Sequence, residues 1–167
     1  VMGSGYLTEQ KELKPHERTK EDVEALPVYH SAYPAYAYLY FGSDETVLYT
    51  GDFRLDTFFE GDLREELYPS PLLEYFENNQ DIKVDTLITE GTNFGRSYTP
   101  ISVEEAVAIN RRMLESGLLT VLAVNEQEID FLCRFIALAR DLKKSIVVSS
   151  ERTARFLEVY MLMAVSY

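Results

Sequence analysis

The 167-residue sequence contains one cysteine, two histidines and fewer basic than acidic residues. With only Cys133 available, an internal disulfide bond is excluded, and the position of Cys133 within an apolar helical pattern predicts an inert, buried thiol. No apolar run approaches the roughly 18 residues that a membrane-spanning helix requires. We find neither a secretory signal pattern nor a repeat or low-complexity tract. These absences favour a globular protein of the cytoplasm.

Basic charge is also scarce, since 16 lysines and arginines are outnumbered by 28 aspartates and glutamates, for a net charge of −12. Proteins that bind nucleic acid without specificity normally carry a basic surface, so the charge argues against that class. It does not exclude a nuclease, because metal ions bound by carboxylates supply positive charge inside a site.

The most informative stretch lies between the two candidate metal ligands His30 and Asp52. Residues 35–41 are aromatic-rich and residues 46–50 are rich in β-branched side chains, while 42–45 have turn chemistry, so the pattern predicts a β-hairpin. Antiparallel pairing would bring His30 and Asp52 to the same sheet edge. An imidazole and a carboxylate there indicate half of a metal site. The alternative is an ordinary loop histidine and a turn aspartate.

The segments around this hairpin are less regular. Residues 1–22 predict a loop or arm, in which His16 is a solvated loop residue, and residues 23–28 predict a short strand. Periodicity is lost through residues 57–62. It returns as a short helix over residues 71–78.

After residue 84 strand-like and helical patterns alternate, which predicts a parallel sheet covered by helices. Functional groups in such folds lie at the carboxyl ends of the strands. The predicted strands are 84–89, 118–124 and 145–149, the second of them apolar enough to be buried on both faces. The predicted helix starts are Ser102 with a Glu105 capping box, Asn125 with Glu128, and Ser150.

A further candidate motif, Glu90-Gly91-Thr92-Asn93, follows the first of these strands. A carboxylate at a strand end next to glycine can approach a bound metal closely. Thr92 and Asn93 offer hydroxyl and amide donors to a phosphate oxygen. The alternative is an acidic residue without a function.

Together the three motifs resemble those of metallo-β-lactamase-fold hydrolases, specifically the β-CASP group of ribonuclease J-like nucleases and related RNA-processing enzymes. His-Ser-Ala-Tyr at His30 and Tyr-Thr-Gly-Asp-Phe-Arg around Asp52 resemble the third and fourth metal-binding motifs of that family. Glu90-Gly91-Thr92 resembles the first β-CASP motif. The resemblance implies an α/β protein in which residues 1–83 are part of a metallo-β-lactamase-like αββα sandwich domain. Residues 84–167 would be the first part of a Rossmann-like β-α-β β-CASP domain.

The resemblance also implies roles for individual residues. His30 would bind one of two Zn²⁺ ions and Asp52 would bridge both, and Asp52 and Glu90 would be the catalytic carboxylates. The implied reaction is hydrolysis of phosphodiester bonds, in RNA or another nucleic acid, by a hydroxide that the two metals activate. Relatives often dimerise, so a homodimer is one expected assembly. The candidate substrate-binding residues are Ser31, Tyr33, Thr92 and Asn93, of which Tyr33 is the best placed to stack on a base.

The sequence departs from the family pattern in three respects. The leading His-x-His-x-Asp-His motif is absent, the later β-CASP histidines are absent, and Tyr29 occupies a position that is usually Asp. We therefore expect this chain to be part of a larger enzyme and to be inactive by itself. Two other functions are compatible with the sequence: an ester or lactone hydrolase of the same fold, and a catalytically inactive binding or assembly subunit.

Overall fold

The computed structural model describes residues 13–92, 94–95, 97, 99–125 and 127–165, with side chains up to residue 159. Within these ranges the fold is mixed α/β, with one four-stranded sheet in the order β1-β2-β3-β4. The strands are β1 (Val23–Pro27), β2 (Tyr36–Phe41), β3 (Thr46–Tyr49) and β4 (Thr86–Ile88). The helices are α1 (Gly61–Leu67), α2 (Leu72–Asn78), α3 (Val103–Glu115), α4 (Ile129–Asp141) and α5 (Glu151–Val165).

The predicted hairpin is confirmed, with β2 antiparallel to β3 and also to β1. The amide of Gly42 donates to the carbonyl of Glu45 at 2.9 Å and closes the turn. Leu39 pairs with Leu48 across the hairpin, and Leu39 is fully buried whereas its neighbour Tyr40 is 44% exposed. The alternation in the sequence therefore separates a core face from a solvent face.

The main core lies between the buried face of this sheet and α2, which supplies Leu72 and Tyr75. The Tyr75 hydroxyl donates to the buried carboxylate of Glu24 at 3.1 Å. Burial, with this hydrogen bond, raises the pKa of Tyr75 to about 12. His16 stacks on Tyr75 at 5.5 Å between ring centroids, and its Nε2 donates to the Pro69 carbonyl at 2.8 Å. His16 is a loop residue as predicted, but its ring is half-buried and not fully solvated, because it stacks on Tyr75.

β4 joins the sheet parallel to β3, with Leu48 opposite Leu87. Asp85 fixes the start of this pairing, since its carboxylate accepts from the Thr46 amide at 3.0 Å. The amide of Thr50 donates to the Ile88 carbonyl at 3.0 Å and extends the ladder past the end of β3. The parallel pair places the carboxyl ends of both strands side by side.

The predicted strands at 118–124 and 145–149 are not strands in the structure. Neither segment has regular secondary structure, and most of their residues are solvent-exposed; Leu119 is 93% and Val147 is 91% exposed. The prediction of a strand buried on both faces was wrong here, because the described sheet ends at β4 and gives these segments no ladder to join. An apolar run predicts a buried segment, but a strand also needs a neighbouring strand with which to form hydrogen bonds.

The helix predictions are mostly confirmed. Ser102 Oγ accepts from the Glu105 amide at 3.1 Å, and Ser150 Oγ accepts from the Thr153 amide at 3.3 Å, so both serines cap their helices. Asn125 instead accepts from the Gln127 amide in a turn before α4, whose N-cap residue is Glu128 without a side-chain cap bond. The predicted helix at 71–78 corresponds to α2, whereas α1 was not predicted; it begins within the 57–62 stretch in which periodicity is lost.

Truncating the core face of the hairpin should destabilise the protein far more than truncating its exposed face. Leu39→Ala removes a fully buried side chain, so we expect the free energy of unfolding to fall by about 2–5 kcal/mol. Tyr40→Ala, one residue away on the exposed face, should cost less than about 1 kcal/mol. Urea denaturation of both variants measures the difference. Equal losses would contradict the assignment of faces.

Candidate active site

The three predicted motifs converge at the carboxyl ends of β3 and β4. The Thr50 hydroxyl, after β3, and the Thr89 hydroxyl, after β4, are hydrogen-bonded to each other at 3.2 Å. The amide of Arg54 donates to the Tyr29 carbonyl at 2.6 Å, so the chain before His30 is joined to the chain after Asp52. One edge of the sheet thus carries all three motifs. The hairpin predicted that His30 and Asp52 lie there, whereas the pairing of β4 with β3, which adds Glu90, was not predicted.

His30 and Asp52 face each other, with 4.0 Å between Nε2 of the histidine and Oδ2 of the aspartate. The other ring nitrogen of His30, Nδ1, accepts a hydrogen bond from the Ala32 amide at 3.1 Å. An accepting Nδ1 leaves the proton of the neutral ring on Nε2, directed at the carboxylate. For Nε2 to bind a metal, this proton must leave and the ring or its loop must readjust.

Gly51 sets the direction of the chain just before Asp52. Its backbone has a φ of +57°, a conformation that costs a side-chain-bearing residue energy. A Cβ atom there would lie 3.5 Å from the Tyr36 carbonyl, which is ordinary contact, so the glycine is required for its backbone angle and not for space.

Glu90 completes the cluster of acidic and imidazole groups. The Thr92 amide donates to its Oε2 at 2.9 Å. The side chain of Thr92, followed by the backbone of Thr92, the backbone of Phe53 and the nearby His30, lowers the pKa of the Glu90 carboxyl. Because the Phe53 backbone and His30 both act on the pKa of Glu90, Glu90 lies close to the loops that carry Asp52 and His30. Glu90 is therefore an anion at neutral pH.

A metal ion would find only part of a ligand set at this edge. Among the residues that the structure describes, no group of three or more His, Cys, Asp or Glu side chains is arranged to bind a metal. Catalytic zinc sites use three protein ligands, and structural ones use four. His30 and Asp52 have the donor chemistry for Zn²⁺ and fit as two members of such a set. Completing the site requires donors beyond them.

Three of the four predicted substrate-binding residues, Ser31, Tyr33 and Thr92, lie among the residues that the structure describes. Ser31 lies half-buried in the loop after His30, and Thr92 is exposed beside Glu90. Thr92 bonds to Glu90 through both its side chain and its backbone, so a substrate phosphate would compete with this carboxylate for the same donors. Asn93 lies outside the described residues.

Tyr33, the fourth, lies in an open groove of about 790 Å³ between its loop and α5. Its ring packs edge-to-face on Tyr68 at 5.5 Å. The helix lines the groove with positive, aromatic and aliphatic side chains that were not predicted as site residues. These side chains recur at helical spacing along α5, and this spacing was the one feature of the sequence that could have predicted a shared surface. The lining residues are Tyr33, Pro34, Glu151, Arg152, Arg155, Phe156 and Val159.

A buried ion pair was also missed. Asp130, at the start of α4, is 2% exposed, and its Oδ2 accepts from Arg54 Nη2 at 2.7 Å and from the Thr57 hydroxyl at 2.8 Å. Arg54 was noted only as the end of the motif around Asp52, and no role was predicted for Asp130. No local pattern reveals their pairing across 76 residues.

Cys133, on the next turn of α4, fits the prediction of an inert thiol. It is half-buried, and burial together with nearby Asp130 raises its pKa to about 11. The reactive thiolate is therefore scarce at neutral pH.

The titration of Glu90 should depend on its hydrogen bond from Thr92. We expect Thr92→Val to raise the pKa of Glu90 toward its ordinary value of 4.5, because the valine cannot donate to the carboxylate. A carboxyl whose pKa is lower in the folded state stabilises the fold at pH values above its unfolded-state pKa. This stabilisation is lost as the pH falls through the folded-state pKa of Glu90. Carboxyl ¹³C NMR titration measures the shift. Thr89→Val, which breaks only the bond to Thr50, is the control, and equal pKa values in both variants would contradict the assignment.

Comparison with known proteins adds no independent support to this site. No protein-family model matches the chain, and a search of curated proteins found no significant match. No helix among the described residues is long and apolar enough to span a membrane. The family resemblance of the three motifs therefore stays a prediction.

Proposed function

We propose that this chain contributes part of the active site of a metal-dependent ribonuclease of the metallo-β-lactamase fold, β-CASP group. The observation that carries the proposal is the convergence of His30, Asp52 and Glu90 at the carboxyl ends of two parallel strands. These residues come from motifs up to 60 positions apart in the sequence. Convergence of potential ligands at strand ends is typical of catalytic sites in α/β folds.

In this proposal His30 and Asp52 are metal ligands, and the remaining ligands come from outside the described residues. Bound Zn²⁺ ions would activate water and polarise the scissile phosphate. Asp52 is exposed and two residues beyond the end of the β3 ladder, so its carboxylate is accessible to a metal. His30 would bind once Nε2 is free of its proton.

Glu90 has a different task, because its lowered pKa makes it a poor proton donor at neutral pH. A general acid for the leaving oxygen needs a raised pKa. As an anion that faces His30 and the Phe53 backbone, Glu90 is suited to orient the histidine and the loop. The proton donor must be another group.

The groove lined by Tyr33 and α5 is the proposed path of the RNA strand. Tyr33 lies three residues after His30, and the groove combines aromatic rings with the guanidinium groups of Arg152 and Arg155. Aromatic stacking with nearby positive charge is how proteins bind single-stranded RNA. Arg155 is paired with Glu151 at 2.5 Å, so a phosphate would compete with that carboxylate.

An inactive binding or assembly subunit is the second candidate. The incomplete ligand set and the Ala32 hydrogen bond on His30 Nδ1 favour it, because both leave the cluster short of metal-binding capacity. A small-molecule ester or lactone hydrolase is the third candidate, favoured by the acidic net charge.

The function is tested by metal content and RNA hydrolysis of the full-length protein. We expect about two zinc ions per chain, and we expect His30→Ala and Asp52→Asn each to lose bound zinc and hydrolysis. His16→Gln is the matched control: it removes the other histidine, which packs on Tyr75 and bonds to Pro69, so only stability should fall. A folded, metal-free, inactive wild type would contradict the proposal and favour the subunit. Cleavage of esters without cleavage of RNA would favour the third candidate.

The groove is tested separately by RNA binding in the Asp52→Asn background, where cleavage is blocked. Tyr33→Leu keeps an apolar contact for Tyr68 but removes the ring, and we expect it to weaken binding of a short single-stranded RNA by about 1–3 kcal/mol. Tyr38→Leu, on an exposed face of β2, is the control. Fluorescence anisotropy gives both Kd values. Equal affinities would contradict a base-binding role for Tyr33.

A further inference from the structure

We propose that Asp130 is a positioning residue for the candidate site, acting through Arg54 on both His30 and Asp52. The role of Asp130 in supporting metal ligands rests on the proposed function. Its structural content, that a carboxylate on α4 fixes the geometry of two distant loops, does not depend on that function.

The Asp130 carboxylate is a buried charge with a full set of donors. Oδ2 accepts from the Arg54 guanidinium, the Thr57 hydroxyl and, at 3.1 Å, the Phe58 amide, while Oδ1 accepts from the Phe131 amide at 2.8 Å. An ionised carboxylate is tolerated away from water only when it is paired and hydrogen-bonded in this manner. Asp130 therefore fixes the chain that follows Asp52 at three points: Arg54, Thr57 and Phe58.

Arg54 passes this constraint on to both candidate ligands. It follows Asp52 by two residues, and its amide donates to the carbonyl of Tyr29, the residue directly before His30. Its side chain meets Asp130 at 2.7 Å and Glu128 at 3.5 Å. A shift of the guanidinium therefore displaces the loop of Asp52 and, through the backbone hydrogen bond, the loop of His30.

The arrangement is specific to the Nη atoms of Arg54. Nε of Arg54 is buried without a hydrogen-bond partner among the described residues, so Asp130 and Glu128 supply the side-chain contacts that orient the group. A lysine would keep the charge but not the two-nitrogen geometry that contacts both carboxylates.

A second ion pair on the same helix provides a matched comparison. Arg134 contacts Glu60 at 2.8 Å, and Arg134 Nε also lacks a partner among the described residues. This pair likewise joins α4 to the loop after Asp52, but further along the chain than the hydrogen bond between Arg54 and Tyr29. If any ion pair between α4 and this loop were enough to position His30 and Asp52, breaking either pair would have the same effect on the site. If Asp130 has a positioning role, breaking its pair with Arg54 has the larger effect.

The test compares Asp130→Asn with Glu60→Gln in the full-length protein, using Zn²⁺ titration and NMR signals of the His30 ring and Asp52 amide. For Asp130→Asn we expect about 10- to 100-fold weaker Zn²⁺ binding and altered signals of both residues, the usual size of effect when a support of a metal ligand is lost. Glu60→Gln should leave the affinity and both signals at wild-type values. Circular dichroism and urea unfolding verify that the variants are folded.

If Asp130→Asn is folded and matches Glu60→Gln in both readouts, the positioning role is refuted, whether or not the enzyme is active. If Asp130→Asn does not fold, Arg54→Lys replaces it, with the same altered signals expected, and wild-type signals refuting the role. If the wild type binds no Zn²⁺, the proposed function fails, and the NMR signals alone decide the positioning role.

Discussion

The buried contact between Asp130 and Arg54 is the constraint on which the candidate site depends. Taking a carboxylate and a guanidinium out of water is costly, and the cost is offset only when the geometry satisfies both groups. The Asp130 carboxylate, in the first turn of α4, receives its hydrogen bonds only when the loop after Asp52 is packed against that helix. Because Arg54 is also bonded to Tyr29, the same contact sets the distance between the loops of His30 and Asp52.

A second constraint is the parallel pairing of β3 and β4. It places Thr50 beside Thr89 and so brings Glu90 to the loops of His30 and Asp52. Electrostatics then separate the roles: Glu90 is kept ionised by its donors, whereas Asp52 stays exposed to solvent. In this strongly acidic protein, the groove beside α5 is lined by the guanidinium groups of Arg152 and Arg155 together with the carboxylate of Glu151.

Local chemistry in the sequence was sufficient to predict some of these features. The hairpin followed from alternation and from the turn at 42–45, and the caps at Ser102 and Ser150 followed from hydrogen bonds within one turn. The opposition of His30 and Asp52 followed from the hairpin geometry. Each of these depends on interactions between neighbours in the chain or directly across one turn.

What the sequence could not predict depends on distant partners. The apolar runs at 118–124 and 145–149 have strand composition, but a strand also needs a neighbour, and the described sheet gives them none. The sequence around His16 predicts a solvated side chain, because the residue on which its ring stacks, Tyr75, is distant along the chain. The tautomer of His30 depends on the Ala32 amide, whose orientation is set by the loop and not by composition.

The contact between Asp130 and Arg54 also has a consequence for how the protein is made. During synthesis the candidate ligands His30 and Asp52 are polymerised well before Asp130, which lies 76 residues after Arg54. Domains fold as units while the chain emerges. A nascent chain that already contains the hairpin therefore lacks the group that orders its ligand loops. The site acquires its geometry only after the start of α4 has been translated and packed, so the potential metal ligands are not fixed in place on an unfinished chain.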